Sequence, residues 1–236
     1  MKEGVGKKER DIYAVVGGKD LSLEEVDEII RLDALSFDAC YRVTAGDDYA
    51  LFRANRENGI VIKEKATGRI VGYSMLLPVT HETYEMIRRG EFVDTELTPE
   101  MVVKYDRPGI YELYFASVAV HPDHRNAQMI ILMLDAMVQS FIDLTDRGIY
   151  IERMLADVVS REGVKFCRLF GLTEVCPTNH GSTLYEVSGL PPMLRVTTAT
   201  TQRLYDLYRA KFADEYGDEA DHLGERVLNV LDDDER

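Results

Sequence analysis

Tyr111-Glu112-Leu113-Tyr114-Phe115-Ala116-Ser117-Val118-Ala119-Val120 contains neither glycine nor proline and is dominated by β-branched and aromatic side chains, the composition of a buried strand. His121-Pro122-Asp123 follows, and Pro122 has no N–H to give to a ladder, so the strand stops there. From Ala127 to Leu144 the residues are strong helix formers, apolar at Ile130, Leu134, Met137, Phe141 and Leu144, with Asp135, Gln139 and Asp143 as one polar stripe at spacing four. A strand that passes into a buried helix through a short loop aims the helix's free N–H groups at whatever lies beyond the strand. Such an end attracts anions, phosphate above all.

Working outward, Asn58-Gly59 opens a hairpin of Ile60 to Lys65 and Arg69 to Leu76, joined by Ala66-Thr67-Gly68. Upstream, Asp11 to Val16 reads as a first strand closed by Gly17-Gly18. Ser22-Leu23-Glu24-Glu25 is a capping box at the start of a helix with Val26, Ile29, Ile30 and Leu32 on its apolar face, and a short helix is expected near Tyr49 to Asn55. Between the hairpin and the central strand lies an insertion, residues 80–109, with helix-like His81 to Arg89 and a second helix start at Thr98-Pro99-Glu100-Met101. Insertions with helices of their own often serve as lids or binding segments; substrate recognition, a dimer contact and simple padding all remain open. Downstream, Ile149 to Val159 is the next strand, Ser160 begins a helix ending at Phe170 with Gly171 as its terminating glycine, and Thr183 to Val187 is a final strand. Residues 1–190 are thus read as one main domain. Residues 191–236 form a helical extension, amphipathic over Thr201 to Tyr216 and Ala220 to Leu231, with an acidic end; such helices need a surface to dock on.

Composition bounds the function. The chain has 236 residues, 45% of them hydrophobic, enough for one sizeable core. The first ten residues lack the apolar core of a signal peptide, and no stretch reaches the ~20 apolar residues of a membrane span, so a cytoplasmic protein without a membrane partner is expected. Cys40, Cys167 and Cys176 form neither CxxC nor an even framework, which suggests no disulfide and no zinc site. A formal charge of −14 argues against nucleic acid as a partner. It suits cationic substrates, although acidity also simply keeps a protein soluble. P-loop, HExxH, GxSxG and dinucleotide fingerprints do not occur.

Ser117-Val118-Ala119-Val120-His121-Pro122-Asp123-His124-Arg125-Asn126-Ala127-Gln128-Met129-Ile130 resembles the signature of the GNAT superfamily of N-acyltransferases, a strand ending in V-x-P followed by R/Q-x-x-G-x-G/A. "GIVIKEKATGRIVGYSMLLP" (59–78) is similar to that family's second and third strands. "GVKFCRLFGL" (163–172) is similar to the family's helix that ends in Gly-Phe. The resemblance covers roughly residues 21–187 and implies an α/β (α+β) fold, a mixed, mostly antiparallel sheet with helices on both faces. It also implies acetyl-CoA as co-substrate and no metal. Arg125 matches the first position of the loop motif, whereas its two glycine positions hold Gln128 and Ile130. Glycine there lets backbone approach phosphate closely.

What the resemblance implies for the site is a donor cradle along Val118, Ala119 and Val120, continued by Arg125, Asn126, Ala127, Gln128, Met129 and Ile130. In the family a carboxylate near the place of Tyr114 often acts as base. Glu112 lies one step upstream on the same face of the strand and is the candidate, the alternative being a solvated strand-end charge. Cys167 stands where the family often has a tyrosine that protonates the departing thiolate, although a thiol is usually buried and apolar. His121 and His124 flank Pro122-Asp123 in a variable loop, and His180 lies in a polar turn near Gly181. The leading expectation is transfer of acetyl from acetyl-CoA to a small-molecule or peptide amine, with a second copy of the chain open as a partner. A binding or regulatory module that has lost the donor site, and an acyltransferase with another acyl donor, are the alternatives.

Overall fold

The computed structural model describes residues 12–39, 42, 44–188 and 198–212. Seven strands form one sheet in the order β1-β2-β3-β4-β5-β7-β6, with β1 Tyr13–Gly17, β2 Gly59–Glu64, β3 Ile70–Val79, β4 Gly109–Val120, β5 Ile149–Val158, β6 Thr173–Pro177 and β7 Thr183–Ser188. Neighbours pair antiparallel except β4 and β5, which are parallel and joined by the helical crossover.

That crossover is α4, Ala127–Thr145. With α5 (Arg161–Phe170) and α6 (Ala199–Lys211) it covers one face of the sheet, where Met129, Met133, Met137 and Phe141 meet Leu113, Phe115 and Met154, joined by Phe166 of α5 and Tyr208 of α6. By length and composition α4 is apolar enough to cross a membrane. Here its apolarity has another cause: the sheet lies on one side and α6 packs against it as well. The opposite face carries α1 (Leu23–Asp33), α2 (Ala45–Ala54) and α3 (His81–Arg88). Val26, Ile29 and Leu32 of α1 pack on Val61, Tyr73 and Ala119, while Tyr84 and Ile87 of α3 pack on Leu77, Tyr114 and Leu155.

Local rules explain the helix ends. Ser22 and Glu25 form the reciprocal capping box, and Gly171 closes α5 at φ 102°, a left-handed conformation that favours glycine. The insertion keeps its first helix as α3. Its second, expected at Thr98, shrinks to one 3₁₀ turn at Pro99–Met101, because the chain beyond it is drawn to the sheet: Val102 bridges Val79, and Val103 donates to the Pro78 carbonyl. Strand β6 had no sequence counterpart. It is a five-residue edge strand ending in a proline, which the pairing rules tolerate only at an edge. Of the C-terminal extension, α6 docks through Leu204, Tyr208 and Phe212, and the Tyr208 hydroxyl accepts a 2.7 Å bond from the Ile151 N–H. The expected helix over 220–231 and the acidic end lie outside the described residues.

Candidate active site

Strands β4 and β5 pair from Gly109 with Ile149 up to Phe115 with Ala156, and no further. β4 continues to Val120, and among the described strands it pairs there with β3 alone. Its other edge is therefore open from Ala116 onward, and the gap between the two strands is where an extended ligand can add to the sheet by main-chain bonds. At the same point β4 bulges. Met75 pairs with Ser117 and Leu76 with Phe115, leaving Ala116 outside the register. The extra residue reverses the strand's alternation: Ala116 and Ser117 both face the α1 side, after which Val118 and Val120 pack toward α4 and Ala119 toward α1.

Ala116 and Ser117 open into a cavity between the sheet, α1 and α2, with Leu97 of the insertion in its wall. Ile29, Phe37, Leu51 and Leu77 make it apolar, and three carboxylates enter it: Asp33, Asp48 and Asp157. Asp33 accepts from the hydroxyls of Tyr73 and Ser117, which lie 2.6 Å from each other. Burial raises its pKa, against the lowering effect of those two hydrogen bonds and of Arg42. Asp48 is pushed up to about 7, first by burial and then by the negative charges of Asp33 and Asp47. Asp157 is the first residue of β5 past the last pair. His180 Nε2 stands 2.8 Å from its Oδ2 and is held on the other ring nitrogen by Asn179 Oδ1 at 3.0 Å. The Asp157 side chain is 7% exposed, and its Oδ1 is buried without a hydrogen-bond partner among the described residues.

The sequence-derived residues divide between this cleft and other places. Tyr114 is fully buried and lines the cavity. Glu112 is on the same strand face but is bound to Arg153 and to His81, in a network that also holds Glu85 to Arg153, and Arg88 and Tyr84 to Glu186. It is not in the cavity wall; four residues of strand put it about 13 Å from Ala116. Cys167 is buried on the α4 face among Phe166, Phe170 and Met137, and burial pushes its thiol up to about 12.

The loop before α4 spends most of its donors on itself. Asp123 N–H bonds His121 Nδ1, His124 N–H bonds the His121 carbonyl, and Arg125 N–H bonds the Pro122 carbonyl. Asn126 caps α4, its side chain accepting from Met129 N–H at 2.9 Å and its carbonyl from Ile130 N–H. Ala127 and Gln128, at the first two helical positions, have no carbonyl one turn back to bond. Arg125 anchors through Nε to the Val120 carbonyl at 2.9 Å and reaches Ser36. Gln128 is half-buried and Ile130 exposed. The open β4 edge thus fits the pantetheine arm of a CoA thioester, and Arg125 with the α4 N-terminus fits a phosphate approached through side chains rather than bare backbone. Among the described residues no three of His, Cys, Asp and Glu converge on a metal site.

No protein-family model matches the chain, and no curated protein matches it in sequence. Solved structures do. The loading GNATL domain of CurA from Lyngbya majuscula is similar at 12% identity and TM-score 0.53, over 75% of this chain and 97% of that one. A GphF GNAT-like decarboxylase solved with isobutyryl-CoA is similar at 12% identity and TM-score 0.54, over 74% and 98% of the two chains. The chain has the GNAT fold.

Asp33, Asp48 and Asp157 were not singled out from sequence. Asp157 carries a signal in retrospect: a lone carboxylate inside the apolar run Met154-Leu155-Ala156-Asp157-Val158-Val159 needs a buried partner. That partner, His180, lies 23 residues away in the turn between β6 and β7.

Proposed function

We propose that the protein transfers an acyl group from a CoA thioester to an amine, acetyl being the simplest donor. One observation carries this reading: the point where β4 and β5 part is also the point where the carboxylate-lined cavity meets the sheet. The thioester arm lies along Ala116 to Val120, and Arg125 with the first turn of α4 (Asn126 to Ile130) receives its phosphates. The amine enters from the α1 side, so its nitrogen meets the thioester carbonyl across the bulge at Ala116, whose irregular backbone offers an N–H to the developing oxyanion.

Asp157 is the base of this reading. It sits at the vertex with one carboxylate oxygen open, and His180 is the positioning residue that fixes its orientation. The neutral amine attacks, a C–N bond forms, the C–S bond breaks, and the ammonium proton passes to Asp157. The CoA thiolate is a good leaving group and departs without an acid from the protein; a buried thiol pushed up to about 12 at Cys167 is a poor donor to it. A carboxylated acyl group of the kind a decarboxylase must bind is disfavoured, because it meets Asp33, Asp48 and Asp157.

A second reading, a binding module without turnover, draws on the loop: side chains at both glycine positions and N–H groups already bonded. Thiol release from acetyl-CoA, followed with a panel of aliphatic amines, separates the two. Turnover supports transfer; CoA binding without turnover by any amine supports the module.

A further inference from the structure

The three carboxylates of the cavity do not gather around one point, since no metal-like cluster forms among the described residues. Asp157 belongs to the strand vertex, whereas Asp33 ends α1 and Asp48 lies in the first turn of α2. Burying carboxylates costs free energy unless cations or hydrogen bonds compensate them. Asp33 has two hydroxyls and the charge of Arg42. Among the described residues Asp48 has no such help, for the charges acting on it, those of Asp33 and Asp47, are both negative. Asp157 keeps one oxygen buried and unpartnered among the described residues. The wall between is apolar, with Ile29, Phe37 and Leu97. Two cation-deficient ends joined by an apolar passage match an alkyl chain with a charge at each end.

Resting on the acyl-transfer reading above, we propose that the acceptor is an aliphatic diamine, one nitrogen meeting Asp157 and the second ammonium held by Asp48 with Asp33. A monoamine leaves Asp48 uncompensated, and an amino acid brings a carboxylate into an already negative cavity.

Calorimetric titration of the full-length protein, with and without CoA, tests this using 1,3-diaminopropane, 1,4-diaminobutane and 1,5-diaminopentane, each paired with the monoamine of equal carbon number. The expected result is at least one diamine bound about tenfold tighter than its monoamine, the scale of one charge-assisted contact. Asp48→Asn, nearly isosteric, is expected to bring the ratio to within about threefold, while Asp206→Asn, exposed on α6 and outside the cavity wall, leaves it intact as a control for net charge. Equal affinities, a preference that survives Asp48→Asn, or no binding of any amine by the folded protein overturns the proposal. The readout is amine binding, so it fails separately from acyl transfer. Diamine preference without acetyl-CoA turnover removes the reaction and keeps the site; equal turnover of diamine and monoamine keeps the reaction and removes the diamine.

Discussion

Ala116 of β4 and Asp157 of β5 are the first residues of their strands beyond the last parallel pair, Phe115 with Ala156. One is the bulged residue outside the β3 register, the other a carboxylate whose Oδ1 is buried without a hydrogen-bond partner among the described residues. Electrophile and base of the proposed reaction are thereby set at the two sides of one vertex. Asp157→Asn keeps the volume and removes the base, and is expected to lower turnover by about 10²- to 10⁴-fold. His180→Ala, acting through Asp157, is expected to lower turnover less and to alter the pH–rate profile. Wild-type turnover in Asp157→Asn would assign the base elsewhere.

Asp48 gives a pH signature in stability. Its folded pKa is raised to about 7 from the ordinary aspartate value of 3.8, by burial first and by Asp33 and Asp47 next. The folded state therefore holds a proton that the unfolded chain has lost between about pH 4 and pH 7, and stability falls as pH rises through that window. The group is partly solvated, which trims the effect to about 1–2 kcal/mol. Urea unfolding of Asp48→Asn is expected to show a gain of that size at pH 8 and none at pH 4. A gain at both pH values, or at neither, contradicts the burial argument.

Cys167 is expected to be inert. With its thiol buried and pushed up to about 12, almost no thiolate forms at pH 8, and the thiolate is the reactive form. Site-resolved mass spectrometry after iodoacetamide treatment should find Cys176, which is partly exposed, modified before Cys167. Cys167→Ala should cost about 1–2 kcal/mol of stability through lost packing and leave turnover unchanged. A large loss of turnover with the fold intact returns Cys167 to the mechanism.

Tyr208 ties the C-terminal helix to the sheet. Its ring lies edge-on to Tyr150, with centroids 5.2 Å apart, and its hydroxyl takes the Ile151 N–H. Tyr208→Phe leaves that buried N–H unpaired at a cost of about 1–3 kcal/mol. Thermal unfolding monitored by circular dichroism reads it out, and an unchanged midpoint shows that the extension adds nothing to the domain.

The strand–loop–helix from Tyr111 to Leu144 was legible because every cue in it is local: β-branched and aromatic residues, a proline stop, then periodicity 3.6. β4 and α4 differ from those readings by two residues at most at either end. The hairpin, the Ser22 cap and the Gly171 stop were legible for the same reason. The site was less so. Alternation placed Glu112 on the correct face of β4, yet only the pairing of β4 with β5 and the position of α3 show it committed to Arg153 and His81. The bulge at Ala116 and the meeting of Asp33, Asp48 and Asp157 depend on tertiary register, which no window along one chain contains. The cost of Gln128 and Ile130 was visible as side chains in a glycine motif. That Asn126 occupies the Met129 N–H depends on the rotamer its side chain takes at the cap.

In the proposed function a CoA thioester binds along the open edge of β4 with its phosphates at Arg125 and the start of α4. Titration calorimetry with acetyl-CoA and with CoA tests it most directly, with Ile130→Gly as companion. Binding is expected in the micromolar range, about −8 kcal/mol, tightened when Ile130 loses its side chain. A folded protein that binds neither compound, in wild-type form or as Ile130→Gly, contradicts it.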